Sequence, residues 1–389
     1  MSTWNKDLRA SIAIAGAATE GIGHAGGRTD LEITAQAVHK AVHDAGLSID
    51  EVDGMMTASL ASSMWVVKLA EYLGMKPRFS DSTQLGGASF VAHLLTAAAA
   101  IAAGLCRTIV VCYGATPRGG GSVSATSTVR AQLDPFPHEE PYRPFNPPTS
   151  YALAAQRHMH QFGTTREQLA EVAVAARAWA RLNPEAFNRE PLSIEDVMSA
   201  KPVSSPFTVR DCCLVTDGAG AVVVTSAERA ASLRQPPVFV LGVGVAHHHR
   251  QIASMADLTA TAAAESGALA YQRAGITPSQ IDVLQLYDAF TINPILFLED
   301  LGFCKKGQGG SFVSGGRIAP GGSLPVNTNG GGLSCVHPGM YSIFALVEAV
   351  RQLRGECGQR QVQRAQTALV HGNGGALSAQ ATAILSTMK

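Results

Sequence analysis

The sequence contains AGLSIDEVD at residues 45–53 and a related stretch, AGITPSQID, at residues 274–282. Each stretch follows a segment that the residue pattern predicts as helix and precedes one that it predicts as strand. A repeat at an offset of about 230 residues indicates that one supersecondary unit occurs twice in the chain. The sequence therefore predicts two similar α/β halves.

Strand-like and helix-like segments alternate around both copies. The helix predicted at Thr29–Leu47 opens with a T-x-x-E capping box, formed by Thr29 and Glu32. Such alternation indicates a mostly parallel sheet covered by helices. The other predicted elements are strands at Ser11–Ala18, Val52–Ala58 and Arg107–Tyr113, a strand opening Pro237–His249, strands at Thr367–Val370 and Gln380–Ser386 around a glycine turn at His371–Gly375, and helices at Trp65–Leu73, Gly86–Gly104 and Asp257–Gly275.

Residues 117–206 interrupt this alternation. They open with three glycines at 119–121, are rich in proline between Pro135 and Pro148, and continue with two helical segments, Tyr151–Phe162 and Thr165–Leu182. This pattern predicts a loop or lid inserted over the core. We therefore expect an N-terminal half at residues 1–116 and 207–235, an inserted region at 117–206, and a C-terminal half at 236–389.

The composition excludes several classes of protein. Among 389 residues, 30 are Lys or Arg and 30 are Asp or Glu, so the net charge is zero and no nucleic-acid binding is expected. The longest apolar tract, Leu94–Leu105, is too short to span a bilayer, and the N-terminal residues lack a signal-peptide pattern. The seven cysteines suggest neither a disulfide framework nor a zinc ribbon. We expect a cytoplasmic protein without a membrane role or a metal site.

Four short motifs give the chain a family resemblance. They are DGAGA at 217–221, YDAF at 287–290, PVNTNGG at 325–331 and HPG at 337–339. They resemble motifs of the thiolase superfamily, most closely those of the sterol-carrier-protein-type thiolase-like and lipid-transfer proteins. The resemblance implies the thiolase fold, with two βαβαβαββ halves stacked as five αβαβα layers and a lid in the first half. It also implies a homodimer that acts on an acyl-CoA, with no cofactor beyond the coenzyme A of the substrate.

Two catalytic positions depart from the thiolase pattern. When the sequence is aligned on Gly87, the nucleophilic cysteine of thiolases corresponds to Gln84, and their second cysteine corresponds to His371. An amide cannot accept an acyl group, so the usual acyl-enzyme cannot form at Gln84. Cys335 is the one thiol close to the HPG motif and leaves open an acyl transfer through another cysteine.

A thiolase-like chain without these cysteines resembles the retro-aldolases that shorten steroid side chains. That resemblance implies Tyr287 or Tyr341 as the base on the substrate hydroxyl, with Asp288 orienting or activating Tyr287. A free tyrosine has a pKa near 10, so a nearby histidine or a proton relay to Asp288 would be required. His337 and the glycine turns would hold the thioester oxygen as an oxyanion hole. The residues predicted in those turns are Gln84, Gly87, His371, Asn373 and Gly374.

The leading hypothesis is therefore retro-aldol cleavage of a β-hydroxyacyl-CoA to a ketone and a shorter acyl-CoA. The acyl group would be a steroid or another bulky apolar group, and the resemblance implies a small partner protein with a zinc ribbon and an OB-fold. Two alternatives remain open. One is a thiolase or acyltransferase that uses another thiol, and the other is a catalytically silent acyl-CoA- or lipid-binding subunit.

A purely structural role is the alternative for each site residue. Tyr287 and Tyr341 could be packing aromatics, and Asp288 could cap a turn. His337 and Gln84 could belong to helix starts without a part in catalysis. His371 could be a solvent-exposed turn residue.

Overall fold

The computed structural model describes residues 8–120 and 139–389. The strands are β1 (Ile12–Gly23), β2 (Gly54–Thr57), β3 (Phe79–Asp81), β4 (Thr108–Ala115), β5 (Pro202–Ser204), β6 (Phe207–Thr208), β7 (Asp217–Ser226), β8 (Val238–His247), β9 (Val283–Leu286), β10 (Thr367–Gly374) and β11 (Ala379–Ser386). The helices are α1 (Asp30–Asp44), α2 (Trp65–Tyr72), α3 (Ser89–Ala102), α4 (Pro148–Phe162), α5 (Arg166–Arg181), α6 (Ile194–Met198), α7 (Ala227–Ala230), α8 (Ala263–Ala274), α9 (Ile292–Asp300), α10 (Gly309–Val313) and α11 (Ser342–Arg354). No helix within these ranges is long and apolar enough to cross a membrane.

Nine strands are hydrogen-bonded in the order β3-β2-β4-β7-β1-β8-β11-β10-β9. Read outward from the centre, β1-β7-β4-β2 of the first half corresponds to β8-β11-β10-β9 of the second. The two halves meet where β1 pairs with β8, at only two residue pairs. The outer pairs are parallel, β3 with β2 and β2 with β4 in the first half and β9 with β10 in the second, while the inner pairs are antiparallel. The internal repeat is therefore a repeat of topology.

Five layers follow from the helix contacts. Helix α1 packs on β1, β4 and β7, and α8 packs on β8 and β11, so each covers the outside of its own half. Helices α3 and α11 contact each other and strands of both halves, and therefore lie between the two parts of the sheet. Eleven of the thirteen residues of α11 are buried, as expected for a central layer. This arrangement confirms the predicted αβαβα architecture.

The repeated segments have the same local structure. Residues 49–51 and 278–280 each form one 3₁₀ turn, closed by the capping boxes Ser48–Glu51 and Thr277–Gln280. Each turn leads into the first parallel strand of its half, β2 or β9. The capping box predicted at Thr29 and Glu32 is also present at the start of α1.

Outer helices approach the sheet at strand glycines. A Cβ atom placed on Gly16 of β1 would lie 2.1 Å from the Ala41 carbonyl oxygen of α1. A Cβ atom on Gly244 of β8 would lie 1.9 Å from the Ser266 carbonyl oxygen of α8. Both halves thus use a residue without a side chain where backbone meets backbone.

Hydrogen bonds between ionisable side chains hold the inserted region against the C-terminal half. Arg166 of α5 forms two hydrogen bonds, of 3.0 and 2.9 Å, with the carboxylate of Asp211, which also accepts the Thr291 hydroxyl ahead of α9. His158 of α4 lies 3.0 Å from Glu299 of α9. These contacts hold α4 and α5 over the edge of the site described below.

The DGAGA motif has a structural function. The Asp217 carboxylate accepts the backbone N–H groups of Ala25, Arg118 and Gly119, at 2.9, 2.8 and 3.0 Å. It thereby ties the end of β1 to the beginning of the inserted region.

Several predicted boundaries were wrong. The helix predicted from Asp257 begins only at Ala263, because residues 257–261 form hydrogen-bonded turns on Asp257 and Asp300. The turn predicted at His371–Gly375 is mostly strand, because residues 371–374 of β10 pair with residues 379–382 of β11. The helix predicted from Gly86 begins at Ser89. Strand β3 and helix α9 were not predicted.

The strand glycines provide a test of the packing. Gly16→Ala and Gly244→Ala should each lower the free energy of unfolding by about 3 kcal/mol, the upper range for overpacking, because the added methyl meets backbone. Gly26→Ala is the matched control, since its φ is +64° but no atom lies within 4 Å of the added carbon, and it should cost about 1 kcal/mol. Urea unfolding of the three variants measures these values. Equal losses in all three would contradict the close-approach explanation.

Candidate active site

The candidate site lies where both halves of the molecule meet the start of α3. Tyr287 directly follows β9, and its backbone N–H donates to the His371 carbonyl of β10 at 3.0 Å. The HPG turn, with His337, lies ahead of α11. Gly87 precedes α3 and faces the Tyr287 ring. Motifs far apart in the sequence are thus brought to one point.

Tyr287 and His337 form a hydrogen-bonded pair. The Tyr287 hydroxyl lies 3.1 Å from His337 Nε2, and the two rings are nearly perpendicular, at 88°. Both side chains are buried, with exposed fractions of 4% and 8%. The Tyr287 hydroxyl also lies 3.5 Å from the Gly339 carbonyl oxygen, which can accept its proton. An unprotonated Nε2 accepts from the tyrosine, whereas a protonated Nε2 donates to it and the tyrosine then donates to Gly339.

Burial keeps both groups of this pair uncharged. It raises the pKa of Tyr287 well above 10 and lowers the pKa of His337 to about 4. Neither tyrosinate nor imidazolium is therefore populated near neutral pH. The tyrosine can act as a base only if its own proton leaves for His337 in the same step.

Tyr341 packs against the pair without joining its hydrogen bond. Its ring is stacked on His337 at 9° and meets Tyr287 edge-to-face at 86°. Its hydroxyl donates to Asn329 Oδ1 at 2.9 Å, and the same oxygen accepts the Gly331 N–H at 2.8 Å. Tyr341 is therefore placed to fix the orientation of both rings.

The structure corrects the contact expected for Asp288. Its carboxylate accepts the N–H groups of Gly332 and Leu333 at 2.6 and 3.4 Å, in the π-helical turn Gly331–Cys335, and makes no hydrogen bond with the Tyr287 hydroxyl. Consecutive side chains after a strand point in different directions, which separates the two groups. Burial raises the pKa of Asp288 to about 7. The side chain that is hydrogen-bonded to the Tyr287 hydroxyl is thus His337.

Two backbone segments meet directly behind Tyr287. A Cβ atom on Gly87 would lie 2.2 Å from Cε2 of the Tyr287 ring, and one on Gly374 would lie 1.7 Å from the Leu85 carbonyl oxygen. Gly86 faces the backbone of Gly374 in the same way. The glycine turns predicted to hold the thioester oxygen are therefore adjacent in space.

Gln84 closes the turn ahead of α3. Its amide nitrogen donates to the Ser59 carbonyl at 2.9 Å, and its amide oxygen accepts the Gly86 N–H at 2.9 Å. The residue is exposed and hydrogen-bonds the turn in which it lies. The position that carries the nucleophile in thiolases thus holds a side chain that stabilises local backbone.

His371 and the Asn373 side chain are not available to a substrate. Both ring nitrogens of His371 are hydrogen-bonded within the sheet, Nδ1 to Thr382 at 2.8 Å and Nε2 to Gln380 at 2.9 Å. Burial lowers the pKa of His371 to about 3. The Asn373 amide bonds to Tyr151 and Gln380. Strand β10 extends further than predicted and turns both side chains into the sheet, so the alternative of a solvent-exposed His371 was wrong. The expected part of the Asn373 backbone in holding the thioester oxygen stays a prediction.

Sequence reasoning missed two buried tyrosines beside the site. The Tyr113 hydroxyl donates to the Pro338 carbonyl at 2.6 Å and fixes the HPG turn. The Tyr151 hydroxyl donates to the Gly375 carbonyl at 2.7 Å. Tyr113 ends a predicted strand and Tyr151 starts a predicted helix, so neither lies in a motif that signals a site.

The Cys335 thiol contacts Asn183 and makes no hydrogen bond with the Tyr287–His337 pair. It is buried, its sulfur is 3.6 Å from the amide nitrogen of Asn183, and burial raises its pKa well above the ordinary thiol value. A thiol is nucleophilic as the thiolate, which this environment disfavours. The geometry therefore argues against Cys335 as a replacement nucleophile.

Known proteins similar to this chain include both lyases and acyltransferases. Residues 244–387 match the family described as thiolase C-terminal domain-like. A steroid side-chain-cleaving aldolase of Thermomonospora curvata is 33% identical over 361 residues, which cover 90% of this chain and 91% of that protein. A 17-hydroxy-3-oxo-4-pregnene-20-carboxyl-CoA lyase of Mycobacterium tuberculosis is 34% identical, with 90% and 92% covered. An acetyl-CoA acetyltransferase of Methanothermobacter thermautotrophicus is 33% identical, with 89% and 91% covered.

Solved structures give the same fold. The Ltp2-ChsH2(DUF35) aldolase superposes with a TM-score of 0.88 at 30% identity, covering 97% of this chain and 98% of that one. Human mitochondrial 3-ketoacyl-CoA thiolase in complex with CoA superposes with a TM-score of 0.73 at 15% identity, covering 98% and 99%. The latter likeness shows the fold alone. Because lyase and acyltransferase relatives are about equally similar, the site must distinguish the two activities.

The two buried imidazoles predict a pH dependence of stability. Between pH 6.5 and about 4 the unfolded chain binds protons at His337 and His371 that the native protein excludes, so both groups destabilise the native state as the pH falls. The Asp288 carboxyl, with its pKa of about 7, acts in the opposite sense in this window. The test therefore compares the pH dependence of stability between the wild type and a variant that lacks one of these histidines.

His371→Gln should flatten the fall in stability between pH 6.5 and 4 by up to about 1.4 kcal/mol per pH unit. Guanidinium unfolding at several pH values measures the slope. An unchanged slope in His371→Gln would contradict a buried neutral His371.

The environment of Cys335 predicts that it is dispensable. Cys335→Ser should keep turnover within about twofold of the wild type, because a buried thiol with a raised pKa supplies no thiolate. After treatment with iodoacetamide, the turnover of the wild type should likewise equal that of the Cys335→Ser variant. Loss of turnover in a folded Cys335→Ser variant would instead restore the thiol mechanism.

Proposed function

The chain belongs to the thiolase superfamily, among sterol-carrier-protein-type thiolases and steroid side-chain-cleaving aldolases, and on that premise we propose that it is a carbon–carbon lyase. Its reaction is the retro-aldol cleavage of a β-hydroxyacyl-CoA to a ketone and a shorter acyl-CoA. The observation that carries this proposal is the Tyr287–His337 pair beside a glycine turn whose nucleophile position is Gln84. Acyl transfer needs a nucleophile there, whereas a retro-aldol step needs only a base and an oxyanion hole.

The pair supports proton transfer without a charged ground state. The Tyr287 oxygen takes the proton of the substrate β-hydroxyl while its own proton passes to His337 Nε2, 3.1 Å away. The bond between the α- and β-carbons breaks, the β-carbon becomes the ketone, and the electron pair forms the thioester enolate. The proton then returns through Tyr287 to the α-carbon. The cycle therefore consumes no external proton.

Backbone N–H groups of the two glycine turns are the proposed donors to the enolate oxygen, apart from those of Leu85 and Gly86, which donate to Ser89 and Gln84. The turns at Gln84–Gly87 and Asn373–Gly374 face each other at the start of α3, with Tyr287 against Gly87. Preorganised donors at developing negative charge contribute much of the rate enhancement in such sites. In this assignment His337 serves the proton relay, and Tyr341 and Asp288 hold the rings and the adjoining π-helical turn in place.

A groove beside the site suits a bulky apolar acyl group. It encloses about 450 Å³ between the start of α4 and residues 252–258, a volume within the usual range for a small-molecule site. Its apolar lining includes Tyr142, Leu153, Ile252, Met255 and Leu258. Ser150, also in the lining, adjoins Tyr151, which reaches the glycine turn at Gly375. The groove thus supports a polycyclic or long aliphatic substituent on the β-carbon.

A partner protein and a homodimer complete the proposal. The Ltp2-ChsH2(DUF35) aldolase combines a similar chain with a DUF35 protein, which supports a partner of that class here, built from a zinc ribbon and an OB-fold. Strand β3 bonds to β2 on one side, and no other described residue pairs with its second edge. The neighbouring helix α2 exposes Val67 and Tyr72, and Met64 precedes it. An open edge beside apolar side chains supports contact with a second copy.

The decisive variant is Tyr287→Phe. It should lower kcat at least about 100-fold, the usual scale for a general acid or base, in assays that follow ketone and shorter acyl-CoA from β-hydroxyacyl-CoA substrates. Tyr271→Phe is the matched control, since it removes a half-buried hydroxyl bonded to the Leu301 carbonyl, on α8 and away from the pair. It should retain activity.

Assays should be run with and without a co-expressed DUF35-class protein. Near-normal cleavage by Tyr287→Phe would contradict the assignment of the base. Acyl-CoA binding without cleavage in either condition would favour a silent binding subunit. Thioester exchange with free CoA, in place of ketone release, would favour acyl transfer.

A further inference from the structure

A continuous hydrogen-bond chain connects the inserted region to the glycine turn. The Tyr151 hydroxyl donates to the Gly375 carbonyl at 2.7 Å and accepts from the Asn373 amide at 2.8 Å. Asn373 in turn accepts from the Gln380 amide at 2.9 Å, and Gln380 bonds to His371 at 2.9 Å. The five residues lie on α4, at the end of β10 and in β11.

The hydrogen-bond chain continues to α8, and the chemistry of its groups decides which of them donate and which accept. The Gln380 amide oxygen can only accept, so His371 must donate from Nε2 and accept from the Thr382 hydroxyl at Nδ1. Thr382 is then left to accept from Ser266 of α8, 2.9 Å away, whose hydroxyl also lies 3.3 Å from the Ala263 carbonyl oxygen. The side chains of the chain, from Ser266 to Tyr151, are all less than 4% exposed. From Thr382 to Tyr151, the orientation of each group is fixed by its neighbours.

Tyr151 also contacts the loop that carries the base. Its ring is stacked on Phe290, with centroids 4.4 Å apart, and Phe290 ends the YDAF motif that begins at Tyr287. One side chain of the inserted region thus contacts both the glycine turn and the Tyr287 loop.

We propose that Tyr151 is a positioning residue, by which helix α4 of the inserted region fixes the glycine turn at Asn373–Gly375 against Leu85–Gly87. The inference rests on the proposed function, because the turn is the proposed oxyanion hole. His371, which occupies the position of a thiolase cysteine, is a link of this chain and exchanges no proton with the substrate. Misplacement of such a turn by about 1 Å is enough to lower a rate about 100-fold.

The test compares Tyr151→Phe with Tyr271→Phe. Tyr151→Phe keeps the stacking on Phe290 but leaves the Gly375 carbonyl and the Asn373 amide without the hydroxyl. Hydrogen–deuterium exchange of the amides at 371–378 should become at least about tenfold faster in Tyr151→Phe and stay unchanged in Tyr271→Phe. This measurement needs no substrate, so it remains informative even if the proposed reaction is wrong. Unchanged exchange in Tyr151→Phe overturns the inference.

Kinetics separate positioning from acid–base catalysis. Tyr151→Phe should lower kcat about 10- to 100-fold, with KM and the shape of the pH profile unchanged. Loss of a limb of the pH profile would make Tyr151 a catalytic residue and overturn the positioning role. Faster exchange with an unchanged kcat would overturn it as well. If the wild type shows no cleavage, the proposed function fails, and the exchange data alone decide whether Tyr151 fixes the turn.

A double-mutant cycle tests the chain itself. Asn373→Ala removes the amide that bonds to Tyr151 and Gln380. If the two residues act as one unit, Tyr151→Phe combined with Asn373→Ala should lose about as much kcat as the more damaging single variant. Multiplicative losses of kcat would show that the two residues act independently. They would contradict a hydrogen-bond chain that acts as one unit.

Discussion

The direct contact between two glycine-containing backbones is the constraint on which the site depends. Leu85–Gly87 enters the central helix α3 from the first half, and Gly374 ends β10 of the second half. They approach so closely that a Cβ atom on Gly374 would lie 1.7 Å from the Leu85 carbonyl oxygen. Because no side chain separates them, the relative position of the two halves also fixes the width of the site. The Tyr287 ring then has only one place to lie, against Gly87.

The two positions that carry thiols in thiolases hold polar groups that are hydrogen-bonded to protein. Gln84 closes its own turn, and His371 is bonded at both nitrogens within the sheet. Removing a partner from a buried polar group is costly, whereas a fully bonded group is tolerated. The chain therefore keeps the backbone geometry of the superfamily while placing no nucleophile in it. What remains at the site is the hydrogen-bonded Tyr287–His337 pair.

The sequence was informative where the structure repeats and where chemistry follows a local motif. The nine-residue repeat at 45–53 and 274–282 correctly implied equivalent halves, because strand order is the same in both. The YDAF and HPG motifs correctly brought Tyr287 and His337 together. In contrast, the orientation of Asp288 depends on which way one residue turns after β9. The direction of His371 depends on how far β10 continues into a glycine-rich segment, which periodicity does not show.

The two tyrosines that sequence reasoning missed show the same limit of prediction from sequence. Tyr113 and Tyr151 lie 225 and 224 residues from the carbonyl groups that they bind. Such contacts are decided by the packing of whole layers, and no spacing in the sequence records them. The start of α8 was misplaced for a related reason, because side chains of Asp257 and Asp300 stabilise turns where the helical pattern continues.

The two ends of the nine-stranded sheet differ in a way that limits its growth. At one end, the outer edge of β9 is covered, since Leu284 pairs with Val326 and exchanges backbone hydrogen bonds with Pro325 and Asn327. At the other end, β3 has no partner on its outer side among the described residues. A molecule with one covered and one open edge can join a second copy edge to edge but offers no site for a third. Edge-to-edge pairing through β3 would therefore be limited to two copies and would not propagate as a fibre.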